Sequence, residues 1–353
     1  MKGSVRKSGP HLPMNVFELT KALVNIPSPT GTEGALGEIL AGLLRERGFS
    51  VLEQDVEPGR KNLYATVDPE PRIVFCTHMD TVPGPARARE DGTYIFGRGA
   101  CDAKGIMAAM MTAAQELVTE GRRDIGLLFV VGEETDSLGA RTANALAAQA
   151  PPAAGPRFLI VGEPTGNILG CGHLGILTVA LAAKGRRIHS AFPHLGDSAV
   201  EKLLDVLADI RRLDFGSEPV LGPTRMSIVQ ISGGDAPNVI PDAARAVVSL
   251  RTGVAPDGIL DVIREAVGGR AEVAVISKSD PQVLHTIPGF ESAVMPFGSD
   301  IPHLKAFGTP LLIGPGSALD AHTEAEKIEK KQLLDAVEIY KRLARELAGT
   351  ENS

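Results

Sequence analysis

Ile73-Val74-Phe75-Cys76-Thr77-His78-Met79-Asp80 is the stretch whose reading decides the fold. Four apolar residues run straight into a threonine and a histidine. A continuous apolar run without alternation reads as a strand buried on both faces, as in a parallel sheet. His78 and Asp80 stand two apart at its end, and residues i and i+2 of an extended chain point to the same side. An imidazole and a carboxylate therefore leave together from a strand's C-terminal end, where open α/β sheets place their ligands. A histidine that binds metal commonly has its ring fixed by such a partner. Taken alone, the pair reads equally well as a structural His–Asp contact.

Working outward, other strands end in the same way. Ile125 to Val131 runs into Gly132-Glu133-Glu134, Arg157 to Val161 into Gly162-Glu163, and Pro310 to Ile313 leads by Gly314-Pro315-Gly316 to the loop of His322. Asp102 follows Gly97 and Gly99 and precedes a helix expected from Gly105 to Glu120. The ordinary use of an aspartate there is as an N-cap. One acidic corner at a strand end is commonplace. Three neighbouring strands that each end in a histidine or an acid are harder to explain that way, because a parallel sheet gathers them at one edge. Carboxylates with imidazole suit Zn²⁺ or a similar divalent ion. Two such ions ~3.5–4 Å apart can clamp and activate a water. His78, Asp102, Glu134, Glu163 and His322 are the candidate ligands, which leaves Glu133 as a base.

Around this core the expected elements are helical and extended in turn. A helix from Val16 to Ile26 is stopped by Pro27 and Pro29, and Thr32 caps a second with Leu36, Leu40 and Leu44 inward. A helix is expected near Pro302 to Phe307, and a last one from Lys330 to Leu347. Between Gly172 and Lys278 the order changes to β-α-β-β-α-β, the ferredoxin-like arrangement. The fold class is therefore α/β: a catalytic domain of residues 14–171 and 279–353 on a mostly parallel central sheet, with 172–278 inserted as a ferredoxin-like lid and dimerisation domain. Residues 1–13 read as a disordered lead-in.

The 353 residues carry a formal charge of −7, with 43% hydrophobic and 22% charged residues. That balance is the one expected of a globular enzyme, and it argues against nucleic acid as a partner. No apolar run reaches the ~18 residues of a membrane span. Cys76, Cys101 and Cys171 form no CxxC pair, which suits a reducing, cytoplasmic setting. Cys76 and Cys101 flank the candidate ligands but read as packing residues, because thiolates make closed sites.

The motifs THMDTVP, GRGACDAKG, GEETDSLGA, VGEPT, GGDAPNVIPD and GPGSALDAH, in this order, make the chain resemble a known family. It is the family of dinuclear zinc amidohydrolases and metallopeptidases that includes acetylornithine deacetylase, succinyl-diaminopimelate desuccinylase, aminoacylase and carboxypeptidase G. The resemblance spans from about Phe17 to the last helix. It implies that Asp102 bridges two metal ions, that His78 and Glu163 complete one site, and that Glu134 and His322 complete the other. It further implies that Asp80 steadies His78, that Glu133 is the general base, and that the Asp102–Ala103 peptide is cis. His189 is implied to polarise the scissile carbonyl, reaching across a homodimer formed through the inserted domain. Asn238, Arg251, Gly298 and Ser299 are implied to hold substrate. The metals implied are Zn²⁺ first, with Co²⁺ or Mn²⁺ as alternatives. Three departures touch substrate and not metal: Ala325 stands where an acid or amide is often found, Ser249 where an acid often precedes the arginine, and the loop around Arg186 and Arg187 is unusually basic.

The reaction expected first is hydrolysis of the amide bond in an N-acyl amino acid, by metal-activated water with Glu133 as base. The alternative within the family is a di- or tripeptidase or a carboxypeptidase. A non-catalytic metal- or ligand-binding relative is the reading from another class, and Glu133 speaks against it, since a binder has no use for a second acid beside Glu134.

Overall fold

The structure is a computed structural model that describes residues 15–148 and 155–349. The expected lead-in at residues 1–13 lies outside them. The chain divides into one unit of residues up to Leu169 and from His303 onward, and a second, Gly170–Pro302.

In the first unit six strands form a sheet in the order Ser50–Glu57, Arg60–Thr66, Ile125–Val130, Ile73–His78, Phe158–Val161, Thr309–Leu312. The first two make an antiparallel hairpin that joins the third antiparallel. The remaining pairings are all parallel. The His78 strand thus sits between two parallel neighbours, and each of its residues is buried. That is why it carries no polar alternation. The helix Lys104–Thr119 packs between Val16–Val24 and Lys330–Gly349. It is apolar almost all round, from Ile106 to Leu117, as a helix enclosed by protein must be. The C-terminal ends of the parallel strands share one edge: His78 pairs with Val130, Cys76 with Val161, and Leu312 with Val161.

Two expectations are corrected here. Thr32 does not cap the second helix; its hydroxyl donates to the Pro29 carbonyl. The helix, Gly34–Glu46, follows Glu33, and no side chain caps it. Glu33 is instead drawn inward by Arg60, which donates to its two oxygens at 2.7 and 2.9 Å. The stretch near Pro302 is two short 3₁₀ turns, Ile301–His303 and Lys305–Phe307, and not one helix.

The second unit has the sheet order Arg225–Gly233, Ala243–Thr252, Gly175–Lys184, Ala271–Ser279, antiparallel throughout. Helices Ala199–Ile210 and Pro256–Val267 cover one face, where Leu177, Val179, Leu181, Val248 and Leu250 meet Leu203, Val206, Ile259 and Ile263. This is the β-α-β-β-α-β arrangement. The unit runs on past Lys278 to Pro302, because Gln282–Val283 and Ser292–Met295 flank the strand Leu169–His173 in a small sheet of their own.

The Arg60–Glu33 pair is buried, with Glu33 1% exposed, and removing one partner strands the other charge. Glu33→Ala should lower the unfolding free energy by about 3 kcal/mol in urea titration. A change within about 0.5 kcal/mol, the usual range for surface substitutions, would show that Glu57, which also accepts from Arg60, suffices alone.

Candidate active site

The strand ends of the first unit bring two groups of side chains together. Ligand atoms of His78, Asp102 and Glu163 lie within 4.8 Å of one another, and so do those of Asp102, Glu134 and His322. Asp102 belongs to both. Its Oδ1 is 3.0 Å from His78 Nε2 and its Oδ2 is 3.2 Å from His322 Nε2. His322 Nε2 also lies 3.0 Å from Glu134 Oε2. Asp102 does not act as a helix cap: the helix that follows has Ala103 at its N-cap and no side-chain cap bond. The Asp102–Ala103 peptide is cis.

The electrostatics of the two groups follow from their neighbours. Burial alone would push the Asp102 carboxyl up, but the hydrogen bonds from His322 and His78 outweigh it and hold the acid well below its ordinary range. Burial works against a charged His78, yet its bonds with Asp102 and Asp80 leave its pKa well above the usual value. His322, bonded to Asp102 and Glu134, is raised to about 10. The acids of the two groups favour positive charge at these positions. Anionic oxygens with imidazole nitrogen fit a divalent ion such as Zn²⁺.

Asp80 is used differently from expectation. The His78 ring is fixed at Nδ1 by the backbone carbonyl of Asp80 at 2.9 Å, while the nearer carboxylate oxygen stands at 3.6 Å. The Asp80 carboxylate, wholly buried, accepts instead from the backbone N–H groups of Gly132, Glu133 and Glu134 at 2.9, 3.1 and 3.2 Å. The Thr30 hydroxyl adds a fourth bond at 2.8 Å. The loop bearing Glu133 and Glu134 is thus wrapped on one carboxylate. The turn requires Gly132: its φ is +81°, and a Cβ there would lie 3.1 Å from Arg60 Nη2.

Several contributors had no sequence signal strong enough to find them. Glu326, 2% exposed, accepts from the backbone N–H of Cys101 and Asp102 at 3.1 and 3.2 Å and from Arg98 Nη1 at 2.6 Å. It supports the backbone of Asp102 as Asp80 supports that of Glu133. Thr30 was legible only as part of a proline-rich stop. The thiol of Cys101 is pushed well up by burial and by Glu326 and Asp102, so it stays protonated and packs.

The remaining predicted residues belong to the second unit, where they form two sets. His189, in Ile188–His189, pairs with Val239, and Ser190 N–H donates to the Asn238 carbonyl. His189 Nδ1 accepts from Ala191 N–H at 3.1 Å, so a neutral ring carries its proton on Nε2. Arg251 pairs with Ile176 across the sheet. A Cβ built on Gly298, beside Ser299, would lie 3.8 Å from Ile176 Cδ1, which brings that turn to the same row.

Residues 74–346 match the model of peptidase family M20/M25/M40. The chain belongs to that family. It is 36% identical to a peptidase M20 domain-containing protein of Schizosaccharomyces pombe, over 93% of this chain and 84% of that one. It is 35% identical to a probable carboxypeptidase of Emericella nidulans, over 93% and 88%. Among solved structures it is similar to a tripeptidase of Staphylococcus aureus, with a TM-score of 0.76 at 22% identity over 94% and 98% of the two chains. This M20 chain is accordingly an enzyme, a metal-dependent hydrolase.

Second-sphere partners of a metal site typically govern ~10–100-fold in metal affinity. Asp80→Ala should lower affinity by that factor in competition against a chelator, because the Glu134 backbone loses its anchor. Unchanged affinity would show that the loop holds its shape without the carboxylate.

Proposed function

We propose that this M20 enzyme is an exopeptidase that cleaves short peptides, of the carboxypeptidase kind, at a site of two divalent ions. The observation that supports it most is the double engagement of Asp102, one oxygen toward each acid–histidine group. His78 and Glu163 would hold one ion, Glu134 and His322 the other, and Asp102 both. When bound, such ions supply Lewis acidity to the scissile carbonyl and lower the pKa of water. Zn²⁺ is the first choice, with Co²⁺ or Mn²⁺ as alternatives.

Glu133 takes the proton of the attacking water and returns it to the leaving nitrogen. It suits that role because its backbone is pinned on Asp80 beside Glu134. His189 donates from Nε2 to the carbonyl oxygen as charge develops there. Arg251 pairs with the substrate carboxylate, and Asn238, Gly298 and Ser299 hold the rest. The relative called a probable carboxypeptidase favours peptides over the N-acyl amino acids expected first. Release of an acetyl or succinyl group stays as the second reading, because the bond cleaved is the same. The free thiols Cys76, Cys101 and Cys171 suit the cytoplasm. No helix among the described residues is long and apolar enough to cross a membrane.

The test is a panel of N-blocked dipeptides, free di- and tripeptides, and N-acetyl and N-succinyl amino acids. Zn²⁺- or Co²⁺-loaded enzyme should release a C-terminal residue from peptides. Extended chelation should abolish turnover and metal return should restore it. Glu133→Gln should lose at least about 100-fold in kcat, the scale of general-base catalysis, with metal content near normal. A Glu133→Gln enzyme within about tenfold of wild type would place the base elsewhere. Faster release from N-acyl amino acids than from any peptide would favour the second reading.

A homodimer through the inserted unit is part of this proposal, and the edge of its sheet supports it. The strand Arg225–Gly233 ends the sheet and exposes Ile228, Val229 and Ile231. An unpaired apolar edge invites a second copy. With His189 acting in the partner's site, mixing Glu133→Gln with His189→Ala subunits should rebuild one working site per heterodimer. Activity should then rise toward about a quarter of wild type in an equal mixture if C₂ dimers exchange at random. No recovery despite proven exchange would mean that His189 acts in its own chain.

A further inference from the structure

The register of the inserted sheet sets two arginines side by side. Arg225 pairs with Arg251 directly across the strands Arg225–Gly233 and Ala243–Thr252. Directly opposed residues of an antiparallel pair share a face, with Cβ atoms roughly 4.5–5.5 Å apart. That face is the one away from the helices, since Leu250 on the alternate side belongs to the helix-covered core. Both arginines are exposed. Neither has an ion-pair or hydrogen-bond partner for its guanidinium among the described residues.

Like charges directly opposed destabilise a sheet, and nothing around this pair relieves them. The next residues of the same face, Ser227 and Ser249, are opposed to each other and carry only hydroxyls. On the other flank Arg251 meets Ile176. Ile176 in turn pairs with Ser279. The Gly298 turn closes this end: a Cβ on Gly298 would stand 3.8 Å from Ile176 Cδ1 and 4.0 Å from Ser279 Oγ. Elsewhere on the same unit several exposed cations are matched, as Lys184 is by Glu272, Arg187 by Asp235 and Lys278 by Asp257, while Arg211 and Arg245 are exposed and unmatched among the described residues. What sets Arg225 and Arg251 apart is their direct opposition across the strands.

We propose that Arg225 and Arg251 together bind a dicarboxylate, so that the enzyme selects substrates whose C-terminal residue is acidic. Arg251 takes the α-carboxylate and Arg225 the side-chain carboxylate. Guanidinium is the group suited to this, since its planar fork binds carboxylate in a bidentate manner. Arg225 is then the specificity determinant, and the assignment rests on the substrate role given to Arg251 above.

Two measurements test it on the full-length metal-loaded protein. In the first, kcat/KM is compared for N-blocked Ala-Glu, Ala-Gln and Ala-Leu. Wild type should prefer Ala-Glu. Arg225→Met should lose roughly 10–100-fold on Ala-Glu, the equivalent of one charge-assisted hydrogen bond, and change little on the other two. Arg225→Lys should recover part of the loss. In the second, calorimetry follows glutarate and butyrate. Glutarate should bind wild type more tightly than butyrate, and Arg225→Met should abolish the difference. An equal loss on all three peptides, no loss at all, or glutarate binding that ignores Arg225 would overturn the proposal. If wild type cleaves no peptide, or Arg251→Met cleaves all of them normally, the underlying function fails, and glutarate binding still decides the role of Arg225.

Discussion

The site depends on a carboxylate that makes contact with backbone. Asp80 has no exposure to solvent, and its two oxygens are filled by three consecutive amides and a hydroxyl. Burial alone would raise its pKa, but the nearby His78 ring, the Thr30 hydroxyl and the Glu134 amide outweigh it and lower it. A buried polar atom left unmatched costs about 1–3 kcal/mol, so the loop Gly132–Glu134 has little freedom to take another path. Glu326 repeats the device on the other side, where the amides of Cys101 and Asp102 converge on one of its oxygens. Two interior acids thus shape the backbone from which the functional acids project.

The outline was legible in the sequence because burial writes itself as composition. The unbroken apolar run into His78 could only be an inner parallel strand, and its neighbours could be recognised by the same run ending in an acid. The helix after Asp102 and the β-α-β-β-α-β module were equally plain from periodicity. What escaped depends on contacts distant along the chain. Glu326 supports Asp102 across 224 residues, and nothing in its surroundings marks it as interior. Thr30 reaches Asp80 across 50 residues. Thr32 had the local features of a cap, but a tertiary demand prevailed: Arg60 needed Glu33, and the helix began where that bond allowed. The Asp80 carboxylate was read as serving the histidine two residues away, since sequence proximity suggests local partners.

Departures from the rules of stable folds cluster where chemistry is done. His322 has a left-handed φ of +61° without being glycine. Three acids crowd around two histidines, and two arginines face each other on the inserted sheet. The opposed arginines are costly by themselves and become favourable once a group of opposite charge meets them. Such local inconsistencies are where function is expected. In the first unit the core from Phe75 to Tyr340 is closely packed and places its own polar atom, the Tyr340 hydroxyl, on the Ile313 carbonyl.

The two acid–histidine groups are unequal in one respect that geometry alone does not express. His78 and Glu163 are 1% and 5% exposed, whereas the His322 side chain is 51% exposed. Under the two-ion reading proposed above, an ion held by His78 and Glu163 would be walled in, whereas one held by Glu134 and His322 would reach solvent past the His322 ring. The two positions would then exchange on different clocks, the buried one slow and the other fast.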